Sequence, residues 1–382
     1  MLHVVHSFEM GGLQNGLLNL LDRLPSARYR HAVVSLTGLS GFERRLRRTD
    51  VPFYALHKPA GRGLSSHLQL WRLLRRLRPA LVHTRNLAAL EAQPIAMAAG
   101  VPLRVHGEHG WDTHDPDGRS VRYRRWRWLM RPYVNHYIAL SRQLQEYLIT
   151  GVGVPRQRIS QIYNGVDTVH FHPRAAAQSP TSVGPFVQPQ HVLVGTVGRL
   201  EPIKDQLSLA RAFVLAVERR PDLRARLRLV VVGDGRLRAP IEQVLRDAQM
   251  ADLVWLAGSR DDIAVLLRGL DLFVLPSLAE GISNTVLEAM ASGLPVLATA
   301  VGGNVELVEP GITGALVPPN DPPALAEALI AYTDDPRRRE REGQAGRERA
   351  VNEFALEEMA AAYQDIYDRL LAQRGKRRAD LQ

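Results

Sequence analysis

The chain has no cysteine among its 382 residues, which excludes a disulfide framework and a thiolate metal site and removes any argument for an oxidising compartment. Lysine is scarce as well, so that the formal charge of +10 is carried almost wholly by arginine. No stretch approaches the roughly 18 to 20 continuous apolar residues that a membrane-spanning helix needs. The opening Met1-Leu2-His3-Val4-Val5 runs straight into an apolar segment and lacks the basic flank and small-residue cleavage site of a secretory signal. Together these absences predict a cytoplasmic protein, soluble or peripheral on the cytoplasmic face of the inner membrane. The arginine excess asks for an anionic partner, and nucleic acid, acidic lipid and nucleotide-sugar all carry the right charge.

What is present is a rhythm. Short apolar, β-branched runs at Leu2–Phe8, His31–Leu36, Leu81–Thr84 and Arg104–His106 alternate with helical patterns at Leu17–Leu24, Phe42–Arg48 and Leu87–Ala99. Strands spaced by helices predict a parallel sheet. The rhythm stops in the Pro/Gln/Ser/Ala-rich stretch Pro173–Gln190 and restarts with His191–Val197, Leu227–Val232, Leu253–Ala257, Leu272–Pro276 and Pro295–Thr299. The expectation is an α/β chain of two doubly wound, Rossmann-like lobes, residues 1–172 and 191–351, joined by a linker over 173–190. An amphipathic helix, Leu356–Ala372, fills most of 352–373, and a basic tail over 374–382, with Arg374, Lys376, Arg377 and Arg378, is expected to lack order. In doubly wound sheets ligands sit beyond the carboxyl ends of the strands, so chemistry is sought in those loops.

The most informative loop is Pro276-Ser-Leu-Ala-Glu280-Gly281-Ile282-Ser283-Asn284-Thr285, leading into a short helix that contains Glu288 and stops before Gly293 and Pro295. Ser283 or Asn284 suits the N-cap and the helix is expected over Thr285–Ser292. A helix N-terminus with unbonded amides accepts a diphosphate, with Glu280 ahead of that end and Glu288 about a turn inside. A second loop, Gly198-Arg199-Leu-Glu-Pro-Ile-Lys204-Asp205, follows the first strand of the second lobe and offers a guanidinium fork and an ammonium point charge. Glycine turns recur at Val232-Gly233-Asp234-Gly235, Val301-Gly302-Gly303-Asn304 and Asn164-Gly165-Val166-Asp167. In the first lobe Gly11-Gly12-Leu13 opens a helix after the first strand, which suits close backbone approach to a phosphate. Arg104-Val-His106-Gly107-Glu108-His109-Gly110 ends another strand.

Glu280 and Glu288, eight positions apart in this frame, resemble the paired glutamates of family-4 retaining glycosyltransferases of the GT-B fold, the group 1 glycosyl transferases. The likeness covers essentially the whole chain and is strongest between Gly195 and Glu306; it is closest to sugar transferases of bacterial exopolysaccharide and PEP-CTERM-associated clusters. The resemblance implies two lobes facing across a cleft and a sugar passed from a nucleotide-diphosphate donor, a UDP- or GDP-sugar, to a glycan or lipid-linked acceptor. It places Glu280 on the donor sugar, Glu288 on the ribose, Arg199 and Lys204 on the pyrophosphate, and Gly281, Ile282, Ser283, Asn284 and Thr285 along the donor. Gly11 and Gly12 would approach the donor phosphate, and a histidine, His109 or else His106, would touch the sugar. It implies front-face attack with neither metal nor cofactor, the leaving phosphate taking the acceptor proton. Where the family usually has an acid, this chain has Gln14.

Asp115-Pro116-Asp117 has the Asp-x-Asp form that binds metal in another transferase class, but within a doubly wound lobe a three-residue pattern carries little. From Arg119 to Arg131 there are six arginines and no acid, interleaved with Val121, Tyr123, Trp126, Trp128, Leu129 and Met130. Arginine beside tryptophan on one helix suits an anionic bilayer surface, with further cations at Arg44, Arg45, Arg47, Arg48 and along Arg72–Arg78. An epimerase or hydrolase of nucleotide-sugars on the same fold is the nearest rival. A nucleic-acid partner is not expected, because the basic residues join no reading motif, and a dinucleotide dehydrogenase fails for want of the Gly-x-Gly-x-x-Gly fingerprint after the first strand.

Overall fold

The computed structural model describes residues 1–9, 11–59, 61, 63–111, 115, 118–174, 184–186, 188 and 190–379, with side chains to residue 373. The chain divides into two compact units, Met1–Gly165 with Leu356–Gln382, and Val166–Ala355.

The first unit is built on strands β1 (Leu2–Val5), β2 (Ala32–Ser35), β3 (Phe53–Ala55), β4 (Leu81–Arg85), β5 (Leu103–Glu108), β6 (His136–Ala139) and β7 (Ile159–Gln161), with helices α1 (Gly12–Arg23), α2 (Leu64–Leu77), α3 (Ala92–Ala98), α4 (Val121–Met130) and α5 (Arg142–Glu146). All strands run parallel in the order β3-β2-β1-β4-β5-β6-β7. The second unit repeats the plan with β8 (Val192–Val197), β9 (Leu227–Val232), β10 (Val254–Gly258), β11 (Leu272–Leu275), β12 (Val296–Thr299) and β13 (Gly314–Val317), parallel in the order β10-β9-β8-β11-β12-β13. Its helices are α6 (Gln206–Arg219), α7 (Arg238–Asp247), α8 (Ile263–Arg268), α9 (Asn284–Ala291), α10 (Asn304–Leu307), α11 (Pro322–Asp334) and α12 (Pro336–Glu353), and α13 (Leu356–Ala379) follows. Helices on both faces bury the central strands, which is why β1, β9 and β11 read as runs of Val, Leu and Phe rather than alternating. In each sheet the winding direction reverses once, between β1 and β4 and between β8 and β11. These reversals part neighbouring loops and leave a crevice at the carboxyl edge.

The unit boundaries differ from those expected. Residues 166–172 belong with the second unit rather than the first: the Val166 amide donates to the Phe354 carbonyl at 2.7 Å, and the Arg347 guanidinium donates to the carbonyls of Thr168 and Phe171. The helix that returns to the first unit starts at Leu356, as expected, but runs on to Ala379, through most of the segment expected to lack order. Arginine, lysine and alanine are good helix formers, and a helix already nucleated by packing extends through them. Of the expected linker, residues 175–183, 187 and 189 lie outside the described residues, while Phe186 is buried beneath the Arg228 guanidinium.

Leu356, Met359, Tyr363, Ile366 and Tyr367 of α13 share a buried cluster with Leu20, Tyr29, Leu81, Val105 and Ile138. Arg23 pairs with Glu357, and Arg28 and the Tyr29 hydroxyl both reach Asp368. The last helix thus completes the core of the first unit. Removing residues 356–382 is expected to leave that unit without a cooperative unfolding transition and with dye-binding apolar surface; a truncated chain that unfolds as sharply as the whole one would show that α13 is dispensable.

Candidate functional site

The loops after β8 and β11 flank the reversal in the second sheet, and they hold most of the residues singled out from the sequence. The Leu278 amide donates to the Ile203 carbonyl at 2.9 Å, joining the two loops through their backbones. Across the same gap the Lys204 ammonium donates to Glu280 Oε1 at 2.5 Å, and that oxygen also accepts from the Ser277 hydroxyl at 2.6 Å. The Glu280 side chain is only 8% exposed, so the Lys204 charge and the Ser277 hydroxyl offset the desolvation of its carboxylate. Arg199 stands exposed at the mouth of the β8 loop, whose carbonyl accepts from the Gln206 side chain at 3.0 Å.

Two glycines hold the β11 loop in place. Gly302 has φ +49°, and a Cβ on it would lie 1.9 Å from the Glu280 carbonyl oxygen. One on Gly303 would lie 2.1 Å from the Gly281 carbonyl oxygen, which accepts from the Gly303 amide at 2.9 Å. The loop after β12 is therefore pressed backbone to backbone against Glu280 and Gly281, and only glycine permits it. Ile282 is buried, and Ser283, in extended conformation, is the N-cap of α9, its hydroxyl accepting from the Val286 amide at 3.4 Å and lying 3.1 Å from the Thr285 hydroxyl. Of the two cap candidates Ser283 serves, and Asn284 and Thr285 open the helix. Asn284 and Thr285 thus occupy the turn whose amides lie beyond intrahelical pairing.

Glu288 lies one turn further along α9. Burial pushes its carboxyl up to about 8, with no cation among the described residues placed to offset the desolvation. A partly exposed acid held protonated at neutral pH is ready to ionise when a ligand brings hydrogen-bond donors to it.

In the first unit, α1 opens at Gly11 and Gly12 beyond β1. The Gln14 amide group folds back to donate to the Ser7 carbonyl at 2.9 Å, and a Cβ on Gly11 would strike Gln14 Oε1 at 2.7 Å. At the end of β5 the two candidate histidines part. His106 is fully buried with both ring nitrogens committed, to Thr84 Oγ1 at 2.8 Å and Glu108 Oε1 at 3.3 Å. His109 is partly exposed; its Nε2 has no partner among the described residues, and burial, helped by the nearby Arg85 charge, lowers its pKa to about 3. A neutral imidazole results.

The basic segment divides as well. Arg127 faces inward: its guanidinium holds Glu108 by two bonds, 2.6 and 3.1 Å, and the pair is buried. That ion pair keeps the Glu108 carboxyl well below the usual range and ties α4 to β5. Arg119, Arg122, Arg124 and Arg125 are exposed, as are Val121, Trp126, Trp128 and Leu129. Asp115 accepts from the Ser120 amide at 2.9 Å at the entry to α4, whereas Pro116 and Asp117 lie outside the described residues. Among the described residues no group of three or more His, Asp or Glu side chains is placed to hold a metal ion. Sequence reasoning passed over Ser277, whose hydroxyl shares Glu280 with Lys204, and Asn86, which accepts from the His109 amide at 2.7 Å. Neither carries a local signal, because serine and asparagine are ordinary loop residues.

Residues 10–170 match the model of Glycosyltransferase Family 4, and residues 191–335 that of Glycosyl transferases group 1. The chain is 31% identical over 281 residues, 72% of its length and 71% of the relative's, to the UDP-Gal:alpha-D-GlcNAc-diphosphoundecaprenol alpha-1,3-galactosyltransferase of Escherichia coli. It is 31% identical over 307 residues, 75% of its length and 69% of the relative's, to the D-inositol 3-phosphate glycosyltransferase of Thermobifida fusca. Its fold is similar to that of Anabaena Alr3699/HepE, crystallised with UDP and glucose, with a TM-score of 0.82 at 21% identity over 96% of this chain and 99% of that one. The two doubly wound units are those of the GT-B fold.

A carboxyl whose folded-state pKa is raised holds a proton that the unfolded chain has released. Glu288 therefore removes stability as pH rises from its ordinary value near 4.5 toward 8. Without nucleotide, Glu288→Gln is expected to melt with wild type near pH 4.5 and a few degrees higher at pH 8, about 2–4 °C for each kcal/mol relieved. A difference that does not grow with pH would show that burial does not hold this carboxyl protonated.

Proposed function

Because the chain belongs to glycosyltransferase family 4, we propose that it is a retaining, metal-independent transferase that moves a sugar from a UDP- or GDP-sugar to a glycan or lipid-linked acceptor in bacterial exopolysaccharide or cell-envelope synthesis. The observation that carries this reading is the convergence, at the reversal of the second sheet, of Lys204, Glu280, the N-terminus of α9 and the protonated Glu288. The α9 N-terminus and the cations of Arg199 and Lys204 receive the diphosphate. Glu280 accepts from hydroxyls of the donor sugar, and Glu288 ionises as the two ribose hydroxyls donate to it.

In the step itself the bond from the anomeric carbon to the β-phosphate oxygen breaks, and a bond from that carbon to the acceptor oxygen forms on the same face. The acceptor proton passes to the departing phosphate oxygen, so no protein nucleophile is consumed. Lys204 and Arg199 stabilise the charge that grows on the phosphate. His109, neutral and with Nε2 unengaged, is suited to a hydrogen bond with a sugar hydroxyl rather than to charge neutralisation. The UDP and glucose in the Anabaena structure favour a UDP-sugar donor.

A lipid-linked acceptor is supported by the first unit and by the Escherichia coli relative, whose name specifies a diphosphoundecaprenol acceptor. A cavity of about 980 Å³ is lined by Leu87, Val121, Trp126 and Leu129 together with Arg122, Arg125 and the Lys58–Glu91 ion pair, and its apolar walls with two arginines suit an apolar chain ending in phosphate. On α2 the residues Leu64, Leu68 and Trp71, at i, i+4 and i+7, are also exposed, with the Arg75 guanidinium over the Trp71 ring. Tryptophan, leucine and arginine on the outer faces of α2 and α4 suit the headgroup region of an anionic bilayer, and we place the protein on the cytoplasmic face of the inner membrane. No helix among the described residues is long and apolar enough to cross a membrane.

Calorimetry with UDP, GDP, ADP and dTDP in EDTA is expected to find one nucleotide that binds, and Glu288→Ala to weaken it by about 1–3 kcal/mol, the scale of a hydrogen bond to a charged group. Binding by none of them, or only with a divalent metal, would remove the donor site from Lys204, Glu280 and Glu288. For the membrane, wild type should co-sediment with phosphatidylglycerol vesicles and release at high salt, while Trp126→Ser combined with Trp128→Ser and Leu129→Ser should bind at least tenfold more weakly. Equal binding of both proteins would refute a docking role for α4.

A further inference from the structure

His109 follows β5, and what holds it there is a single residue at the end of β4. Asn86 has φ 60° and ψ 165°, a backbone region that is essentially glycine's alone and strained for a residue with a side chain. Such strain persists only where the surroundings over-determine it. At Asn86 they do: its amide donates to the Gly107 carbonyl at 2.8 Å, and its side-chain Oδ1 accepts from the His109 amide at 2.7 Å. One residue thus grips both ends of the turn Gly107–His109. A relaxed backbone at 86 would turn the amide, the side chain, or both away from that turn.

The ring of His109 is fixed by the same arrangement. It lies back over Gly107, where a Cβ would fall 2.6 Å from His109 Nε2 and 3.0 Å from His83 Nε2, and both nitrogens are without partners among the described residues. Arg85, paired in register with Gly107, is buried beside them, its Nη1 on His3 Nδ1 at 2.9 Å. Arg85, His83, His106 and Glu108 are the charged and titratable groups around this turn. The imidazole therefore lies within reach of the Arg85 charge, on a turn that Asn86 holds.

We infer that Asn86 is the positioning residue of His109: it tolerates a strained backbone so that its amide and its side chain together aim the His109 ring. The functional weight of the inference rests on the reading of His109 as a contact of the donor sugar; the positioning itself does not. Asn86→Gly separates the two parts, because glycine relieves the strain and keeps the amide while losing the side-chain grip.

The experiment follows the histidine ring resonances of the full-length protein by NMR, with the His109 signal assigned through His109→Gln. In wild type the His109 signal is expected to stay that of a neutral ring down to pH 5. In Asn86→Gly, which should melt no lower than wild type, it is expected to titrate with a midpoint at least one pH unit higher than in wild type. Affinity for UDP or GDP should change less than twofold among these proteins. An unmoved His109 signal in Asn86→Gly would overturn the inference. Failure of UDP and GDP to bind even wild type would instead defeat the donor-site reading and leave the histidine spectra to decide the role of Asn86.

Discussion

The carboxylate of Glu280 accepts from Lys204 on one loop and Ser277 on its own, and around that shared oxygen the second unit's crevice is organised. A carboxylate so nearly excluded from water is tolerable only with a cation and a hydroxyl on it, so Lys204 and Glu280 keep the β8 and β11 loops in one register. The Leu278 to Ile203 backbone bond fixes the same spacing, and Gly302 and Gly303 brace it from the β12 side. The result is a crevice whose walls are held by bonds within the protein itself.

Burial acts in opposite directions on the two glutamates of the motif. Glu280 has its counter-charge in the protein. Glu288 has none among the described residues, so burial pushes its carboxyl up. One motif therefore contains a carboxylate satisfied by the fold and a carboxyl that is not. The first unit shows the same contrast at β5, where His106 has both nitrogens engaged inside and His109, three residues on, keeps one unengaged.

The buried Glu108–Arg127 pair explains why a helix as basic as α4 does not simply repel its neighbours. One arginine is turned inward onto a carboxylate and anchors the helix, while Arg122, Arg124 and Arg125 and the indoles of Trp126 and Trp128 remain on the outside. A charge run read along the chain looks uniform; its members do different work once the helix is laid against β5.

The alternation of apolar runs and helical patterns determined the doubly wound α/β class, because strands covered by helices on both faces read as mainly apolar runs rather than alternating ones. Spacing and residue type in Gly198–Asp205 and Glu280–Glu288 likewise sufficed to bring the donor-side candidates together, since loops after neighbouring parallel strands necessarily emerge at one edge of the sheet. Strands as short as Phe53–Ala55 and Ile159–Gln161 escaped notice, being too brief to show a period. The tertiary structure alone decided that Lys204 meets Glu280, that Arg127 turns inward while its neighbours do not, that α13 completes the first core, and that Asn86 grips the His109 turn. Each of these joins residues at least 19 positions apart, and a pairing made by folding leaves no periodicity in the chain for a local pattern to reveal.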